Sequence, residues 1–350
     1  MPMPAKFASL ATTAVSVAIG AVGYLIATWL SAPAPVLIGP AIAVSLAGLA
    51  GIRTGIDMTV RDICFVVLGF GIGCGFNPSA GAAILHWPFA FLTLAVALVV
   101  TIWACGVLLM RAFGFDSRSA VLSSAPGHLS FVMMLAAEAG GNVGRVAVVQ
   151  SIRLLSLTLV VPFAAMAMGY QMGDISGIGG APMGWGMLAL LLVAGGLLGL
   201  LFQKLRITAP LLLGPMLVAG LTHVTSTVEG GVPPLLLTPA FLVLGTLIGT
   251  RFSGMTLLDL RASAAAGLGV TAIGTAITVA ASVPVAMALE LPVAHVLVAF
   301  SPGGLETMVA LGAVMGVSPG FVAACHIMRL VILTGLIPLS LRWSQRYRTT

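Results

Sequence analysis

The stretch that decides the fold is Ser301–Leu330, SPGGLETMVALGAVMGVSPGFVAACHIMRL, an apolar segment with a Pro-Gly-Gly interruption, a glutamate, a histidine and an arginine. An arginine at the centre of a membrane helix costs about 2.5–3.5 kcal/mol on insertion scales, so Arg329 needs a partner, water or a ligand. Proline and glycine at residues 302–304 interrupt the helical hydrogen bonds. Such backbone is tolerated at membrane depth only where it is buried in protein or lines a watery cavity.

The rest of the chain has the composition of a membrane protein. Its 350 residues are 59% hydrophobic and 7% charged, with a mean hydropathy of +1.16, whereas soluble domains are about 25% charged. This predicts an all-α polytopic membrane protein whose partner is the lipid bilayer. Long apolar runs leave no room for a soluble domain, and they lie at roughly 7–30, 35–52, 62–77, 86–110, 146–169, 182–202, 209–222, 235–250, 264–289 and 320–341.

Several function classes lack their usual motifs in this sequence. The net charge of +6 lies largely in short loops, where it reports membrane orientation and not a nucleic-acid partner. The four cysteines form no C-x-x-C pair, and no histidines show a close metal-ligand spacing. Walker, Rossmann and nucleophile-elbow motifs are also missing. We therefore predict no metal, no cofactor and no catalytic residues.

The chain is an internal duplication, which is the signature of a repeat architecture. APGHLSFVMMLAAEAGGNVGRVAVVQSIRLLSLTLVVP, from Ala125, aligns without gaps with SPGGLETMVALGAVMGVSPGFVAACHIMRLVILTGLIP, from Ser301, at an offset of 176 residues. Upstream, APVLIGP matches APLLLGP at an offset of 175. We predict one repeat in residues 1–175 and the other in residues 176–350.

Basic residues predict that the two repeats have opposite orientations, because cytoplasmic loops collect Lys and Arg. In the first repeat the basic loops are 53–61 and 111–118. Their counterparts in the second repeat, 223–234 and the segment around Glu290, contain no Lys or Arg. The loops of the second repeat that correspond to neutral loops of the first contain several basic residues. Opposite charge at equivalent positions indicates an inverted pair with both termini in the cytoplasm.

An inverted duplication needs an odd number of crossings in each repeat, but each repeat has six apolar stretches. The stretches that should not cross are 119–140 and 295–316, which are broken by Pro126-Gly127-His128 and Pro302-Gly303-Gly304. We therefore predict about five transmembrane helices and one broken or re-entrant segment in each repeat, ten spans in total. A twelve-span alternative, in which both broken segments cross, stays open; it would place Arg145 outside.

Inverted repeats with interrupted segments are typical of secondary transporters, whose site lies near the midplane at the repeat interface. Arg153 and Arg329 lie about 15 Å into their helices, near the middle of the hydrocarbon. Each follows a polar residue by three positions, Gln150 or His326, so each pair shares a helix face. The predicted substrate-binding residues are Pro126, Gly127, His128, Ser130, Gln150, Arg153, Ser301, Gly303, Gly304, Glu306, His326 and Arg329.

Alternative interpretations of this set stay open. If Glu138 and Glu306 do not fully neutralise the arginines, the remaining charge favours a small anionic solute. Alternatively, each arginine ties down a helix C-terminus or a carbonyl of a broken segment, and the breaks are packing turns. The candidate coupling ions are a proton, carried by His326 or Glu306, and Na⁺. A homo-oligomer is a further expectation.

Residues from both repeats resemble one protein family. APVLIGP and APLLLGP, the LGxxIGxxF pattern, PG(H/G)L and the RxxxxxTLxxP-like ends resemble the bacterial AbrB-duplication membrane proteins over nearly the whole chain. The resemblance implies a multi-pass protein of the bacterial inner membrane and brings no established catalytic residues. Members are labelled AbrB family transcriptional regulator or ammonia monooxygenase.

The first functional hypothesis is a secondary transporter that works by alternating access. The alternatives are a membrane protein with a role in regulation of gene expression, which includes a sensor that binds a ligand without net flux, and a membrane-bound monooxygenase. A monooxygenase needs clustered His or carboxylate ligands, and a DNA-binding regulator needs a soluble basic module. The sequence shows neither of these features.

Overall fold

The computed structural model describes residues 9–346, apart from 77–86, 128, 170–177 and 179. Within these residues the chain forms fourteen α-helices, a 3-10 turn and one isolated β-bridge, so the all-α class is confirmed. The helices of the first repeat are α1 (Leu10–Trp29), α2 (Pro35–Leu49), α3 (Met58–Gly73), α4 (Trp87–Phe113), α5 (Ser117–Ser124), α6 (Leu129–Glu138) and α7 (Val143–Ala167). Those of the second are α8 (Trp185–Lys204), α9 (Pro210–Val224), α10 (Pro234–Gly249), α11 (Leu257–Leu289), α12 (Val293–Phe300), α13 (Leu305–Val314) and α14 (Pro319–Arg346).

Seven of the described helices are long and apolar enough to cross a membrane. Crossing about 30 Å of hydrocarbon takes about 20 residues. Helices α2, α9 and α13 are apolar but shorter than this. A polytopic membrane protein is therefore confirmed, while the count of ten spans stays a prediction. The seven are α1, α4, α7, α8, α10 with the 3-10 turn that follows it, α11 and α14.

Helix bounds recur with the period of the sequence duplication. The counterpart of each helix in the first repeat lies seven helices later, and the starts of α5, α6 and α7 recur 176 residues on as those of α12, α13 and α14. Helices α2 and α9 each begin at a proline after an alanine with positive φ, 45° at Ala34 and 49° at Ala209. The inverted orientation of the repeats stays a prediction.

The chain forms two compact units, and each takes helices from both repeats. The first unit contains α1–α3 and α8–α10, and comprises residues 1–81, 162–256 and 309–320. The second contains α4–α6, most of α7, α11, α12, the start of α13 and most of α14, and comprises residues 82–161, 257–308 and 321–350.

In the first unit, glycines let the helices of the two repeats approach backbone to backbone. A Cβ atom on Gly69 of α3 would collide with the Leu212 carbonyl of α9. At the equivalent crossing, a Cβ atom on Gly245 of α10 would lie 2.7 Å from the Leu37 carbonyl of α2. In one contact the glycine belongs to the first repeat and the carbonyl to the second, and in the other contact these roles are reversed. Such reciprocity is what a two-fold relation between the repeats produces.

In the second unit, a buried apolar cluster positions α7 beside α4, α5 and α11. The thiol of Cys105 also lies 3.7 Å from the carbonyl oxygen of Val270. Burial of this apolar surface stabilises the unit and fixes the helix that carries Arg153. The cluster consists of Cys105, Leu109, Phe115, Ala120, Val149, Ala266 and Val270.

Candidate functional site

Both helix breaks belong to the second unit and lie at equivalent positions. Residues 125–128 separate α5 from α6, and residues 301–304 separate α12 from α13. The residue before each proline is extended, with φ/ψ of −70°/119° at Ala125 and −53°/130° at Ser301. Proline disfavours the α conformation in the residue that precedes it. Each helix therefore ends there, which leaves its last carbonyl groups without partners in the helix.

Arg329 binds the second break through its guanidinium group. Its Nη1 donates to the carbonyl oxygen of Ser301 at 2.7 Å, and its Nη2 donates to that of Gly303 at 2.8 Å. The side chain is only 3% exposed. Ser301 follows the C-terminus of α12, where the helix dipole places partial negative charge and stabilises a cation. The guanidinium therefore joins the end of α12 to the unwound segment.

Arg153 makes the equivalent contact at the first break, together with Gln150. Its Nη1 donates to the carbonyl oxygen of Ala125 at 3.3 Å, and its Nη2 donates to Oε1 of Gln150. The Gln150 amide nitrogen donates to the carbonyl oxygens of Leu122 at 2.8 Å and Ala125 at 3.0 Å. Arg153 is 2% exposed and Gln150 is fully buried. Two side chains therefore share the carbonyl groups at the end of α5.

His326 occupies the position in the second repeat that corresponds to Gln150, but its contacts differ. Its Nδ1 lies 3.0 Å from the carbonyl oxygen of Val322 on the same helix. A carbonyl group only accepts hydrogen bonds, so Nδ1 carries the proton in the neutral ring. The buried Nε2 has no hydrogen-bond partner among the described residues. The second break therefore lacks the support that glutamine gives to the first.

Carbonyl oxygens, and not carboxylates, are the partners of the two buried arginines. Neither buried arginine forms an ion pair with a described carboxylate, whereas Arg61 pairs with Asp62. Glu138 is exposed at the end of α6, and Glu306 is half-buried at the start of α13. The ion pairs considered for these glutamates are therefore not formed in the described part of the chain. Each arginine instead donates to a carbonyl oxygen of a break.

Four buried polar atoms around the breaks have no hydrogen-bond partner among the described residues. They are Nε of Arg153, Nε of Arg329, Nε2 of His326 and Oγ of Ser123. Arg153 and Arg329 also lie within electrostatic range of each other. A buried polar atom without a partner costs about 1–3 kcal/mol, and water or an ion commonly satisfies such atoms. These atoms are candidate contacts for a solute.

The structure distributes the predicted site residues over the two breaks. Pro126 and Gly127 form the first break, with Gln150 and Arg153 bound against it, and Ser301, Gly303 and Gly304 form the second, with Arg329 bound against it. Glu306 begins α13 and His326 is buried on α14. His128 and the side chain of Ser130 lie outside the described residues. These placements make the set a candidate site, and its role in substrate binding stays a prediction.

Sequence reasoning did not single out the individual groups at the first break. The carbonyl oxygen of Ala125 accepts from Arg153 and Gln150, that of Leu122 accepts from Gln150, and the hydroxyl of Ser123 is buried without a described partner. Backbone carbonyls have no residue-type signature. The usable signal was positional, because a helix that ends before a proline exposes its final carbonyls to a nearby cation.

Comparison with known families identifies the kind of protein. A family profile described as "Transition state regulatory protein AbrB" matches residues 36–345, which include both breaks and both arginines. The chain belongs to the AbrB family. This confirms the resemblance seen in the duplicated segments.

Two relatives match most of the chain. "Uncharacterized protein YhjN" of Bacillus subtilis (strain 168) is 24% identical over 343 residues, which cover 91% of this chain and 86% of the relative. "Putative regulator AbrB" of Escherichia coli (strain K12) is 25% identical over 319 residues, which cover 87% of this chain and 88% of the relative.

Proposed function

We propose that this AbrB-family protein is a secondary transporter of a small anionic solute in the bacterial inner membrane. It works by alternating access, and both termini lie in the cytoplasm. The observation that carries the proposal is the pair of buried arginines, Arg153 and Arg329, each hydrogen-bonded to a carbonyl oxygen of a helix break.

The charge balance around the breaks supports an anion. The C-terminus of a helix carries about −0.5 elementary charge, so the ends of α5 and α12 offset about half of the two guanidinium charges. The remaining charge amounts to about one positive unit in a buried environment. Burying an uncompensated charge is costly. A bound anion supplies the missing negative charge.

The chemistry of the arginines favours a carboxylate or a similar oxyanion. A guanidinium group has five N–H donors in a planar fork that matches two acceptor oxygens. The described contacts of Arg329 use Nη1 and Nη2 and leave Nε without a partner. The helices that resume at α6 and α13 add N–H groups at their first turns, and such ends favour anions. Acetate, succinate and phosphate are suitable first probes.

The direct experiment is uptake of radiolabelled acetate, succinate and phosphate into proteoliposomes that contain the full-length protein. We expect uptake of at least one probe by the wild type and a loss of at least tenfold in Arg329→Ala and in Arg153→Ala. Arg329→Lys keeps the charge but loses the planar fork. Its uptake should therefore fall between that of the wild type and that of Arg329→Ala. Before the uptake assay, the melting temperature of the protein is measured with each probe. A ligand that binds the native state raises its apparent stability.

The matched control is Arg342→Ala, which removes an exposed arginine from the same helix, α14. It should transport at the wild-type rate. Undiminished uptake in both buried-arginine variants would remove the arginines from the site. If none of the probes is transported or bound, the proposed solute class is wrong.

Regulation is the second candidate function, and it is favoured by the description of the matching family as a regulatory protein. Under this hypothesis the same arginines bind the anion, but no net flux follows. Thermal stabilisation by a probe combined with absence of its uptake would favour the sensor. Uptake would favour the transporter.

A further inference from the structure

The carbonyl groups of the second break converge on a single buried cation. The oxygens of Ser301 and Gly303 accept hydrogen bonds of 2.7 and 2.8 Å from the two terminal nitrogens of Arg329. One of these carbonyls follows a helix C-terminus and the other belongs to unwound backbone. Both are therefore directed at the same positive charge.

Carbonyls of this type are a recognised environment for small cations. In transporters with broken helices, unwound carbonyls and half-helix C-termini coordinate Na⁺. Carbonyl oxygens can also replace the hydration shell of a monovalent ion. In this chain, carbonyl groups of this kind accept hydrogen bonds from the guanidinium group of Arg329 on α14.

We propose that Arg329 is a built-in cation that fills a latent Na⁺ site at the second break. The wild-type protein consequently does not bind Na⁺ at these carbonyls, which leaves a proton as the candidate coupling ion at this break. Removing the side chain exposes both oxygens and leaves space for water to complete the coordination of Na⁺. This inference concerns the cation alone and holds whether the protein transports an anion or only senses one.

The first break provides a natural contrast. There the amide of Gln150 donates to the carbonyl oxygens of Leu122 and Ala125 independently of Arg153. At the second break, the described ring contact of His326 is with Val322 on its own helix. Truncation of Arg153 therefore leaves its carbonyl satisfied, whereas truncation of Arg329 does not. The latent site belongs to the second break only.

The experiment is thermal unfolding of the purified full-length protein in detergent, in NaCl or in choline chloride at equal ionic strength. We expect Arg329→Ala to unfold several degrees higher in NaCl than in choline chloride, because an ion that binds the native state stabilises it. The wild type and Arg153→Ala should unfold at the same temperature in both salts. A titration of Arg329→Ala with NaCl should saturate.

Three outcomes would overturn the inference: a Na⁺-specific shift in the wild type, an equal shift in Arg153→Ala, or a folded Arg329→Ala that does not respond to Na⁺. If Arg329→Ala can be purified only when Na⁺ is present throughout, that dependence is the expected effect. If it cannot be purified in either salt, Arg329→Ser takes its place in the same measurement. The wild-type comparison tests the inference independently of both variants.

Discussion

Gln150 and His326 occupy equivalent positions in the two repeats, but only Gln150 binds the carbonyl groups that end the broken helix of its own repeat. The first break is consequently fixed by two side chains, an arginine and a glutamine. At the second break, Arg329 is the only described side chain of α14 that donates to the break carbonyls. The duplicated sequence therefore encodes two breaks of the same shape with different chemical environments.

Truncation of Gln150 should destabilise the second unit. Gln150→Ala removes hydrogen bonds to Leu122 and Ala125 and also the acceptor of Arg153. Each buried group left without a partner costs about 1–3 kcal/mol, so we expect the free energy of unfolding to fall by more than about 2 kcal/mol. Denaturant unfolding in detergent measures this. Gln203→Ala, at an exposed position on α8, should change little, and equal stabilities for the two variants would contradict the prediction.

The glycine crossings of the first unit should not tolerate a methyl group. Gly69→Ala and Gly245→Ala place a Cβ atom against the carbonyl groups of Leu212 and Leu37. Overpacking of this kind costs about 1–3 kcal/mol, so both variants should have lower melting temperatures. Gly196→Ala is the control, because nothing lies within 4 Å of its Cβ position. It should be neutral or stabilising by up to about 1 kcal/mol.

The loop before α5 contains an acid that should make stability depend on pH. Asp116 caps α5 by accepting a hydrogen bond of 2.9 Å from the backbone nitrogen of Ser119. Partial burial of the carboxyl group raises its pKa, but hydrogen bonds from Ser119 and from the backbone of Arg118 outweigh this, so the pKa lies below its ordinary value. The ionised carboxylate therefore stabilises the fold above the unfolded pKa, and this contribution is lost as pH falls through the folded pKa.

Two substitutions of Asp116 separate the cap from its charge. Asp116→Ala should cost about 1 kcal/mol at neutral pH. Asp116→Asn keeps a good cap but does not titrate, so its stability relative to the wild type should improve as the solution is acidified. Thermal melts across a pH series measure both effects. A pH-independent difference between the wild type and Asp116→Asn would contradict the assignment.

The opposite orientation of the repeats predicts which loops a membrane-impermeant thiol reagent can reach. Arg53→Cys lies in a basic loop of the first repeat and Glu229→Cys in the equivalent loop of the second, which has no Lys or Arg. Both positions are exposed. In intact cells Glu229→Cys should be labelled from outside. Arg53→Cys should be labelled only after the membrane is permeabilised. Labelling of both from the same side would rule out the inverted arrangement.

The position of each break could be predicted from sequence, whereas its chemistry could not. Pro126 and Pro302 constrain the residue before them, so the helices end where the Pro-Gly pairs indicate. For Arg153 and Arg329 the sequence leaves two kinds of partner open, acidic side chains and carbonyl groups of the broken segments. In the structure both arginines donate to carbonyl oxygens, which every residue possesses and which no sequence pattern marks.

Helix packing illustrates the same limit in the first unit. The Gly-x-x-x-Gly spacing of LGFGIG and LGTLIG predicts close helix contacts. It does not say which helix lies against Gly69, because that partner, α9, comes from the other repeat. Contacts between distant parts of the chain depend on the tertiary arrangement. Only a comparison of the Gly69 contact on α9 with the Gly245 contact on α2 shows that the two are equivalent.

That reciprocity has a consequence for the origin of the chain. In the first unit, α3 packs on α9 and α10 packs on α2, so each repeat closes a surface that the other leaves open. A single-repeat ancestor would have met the same requirement by pairing with a second copy of itself. Because both repeats are parts of one chain, equivalent positions can carry different residues, as Gln150 and His326 do, whereas two identical copies would carry the same residue at both breaks.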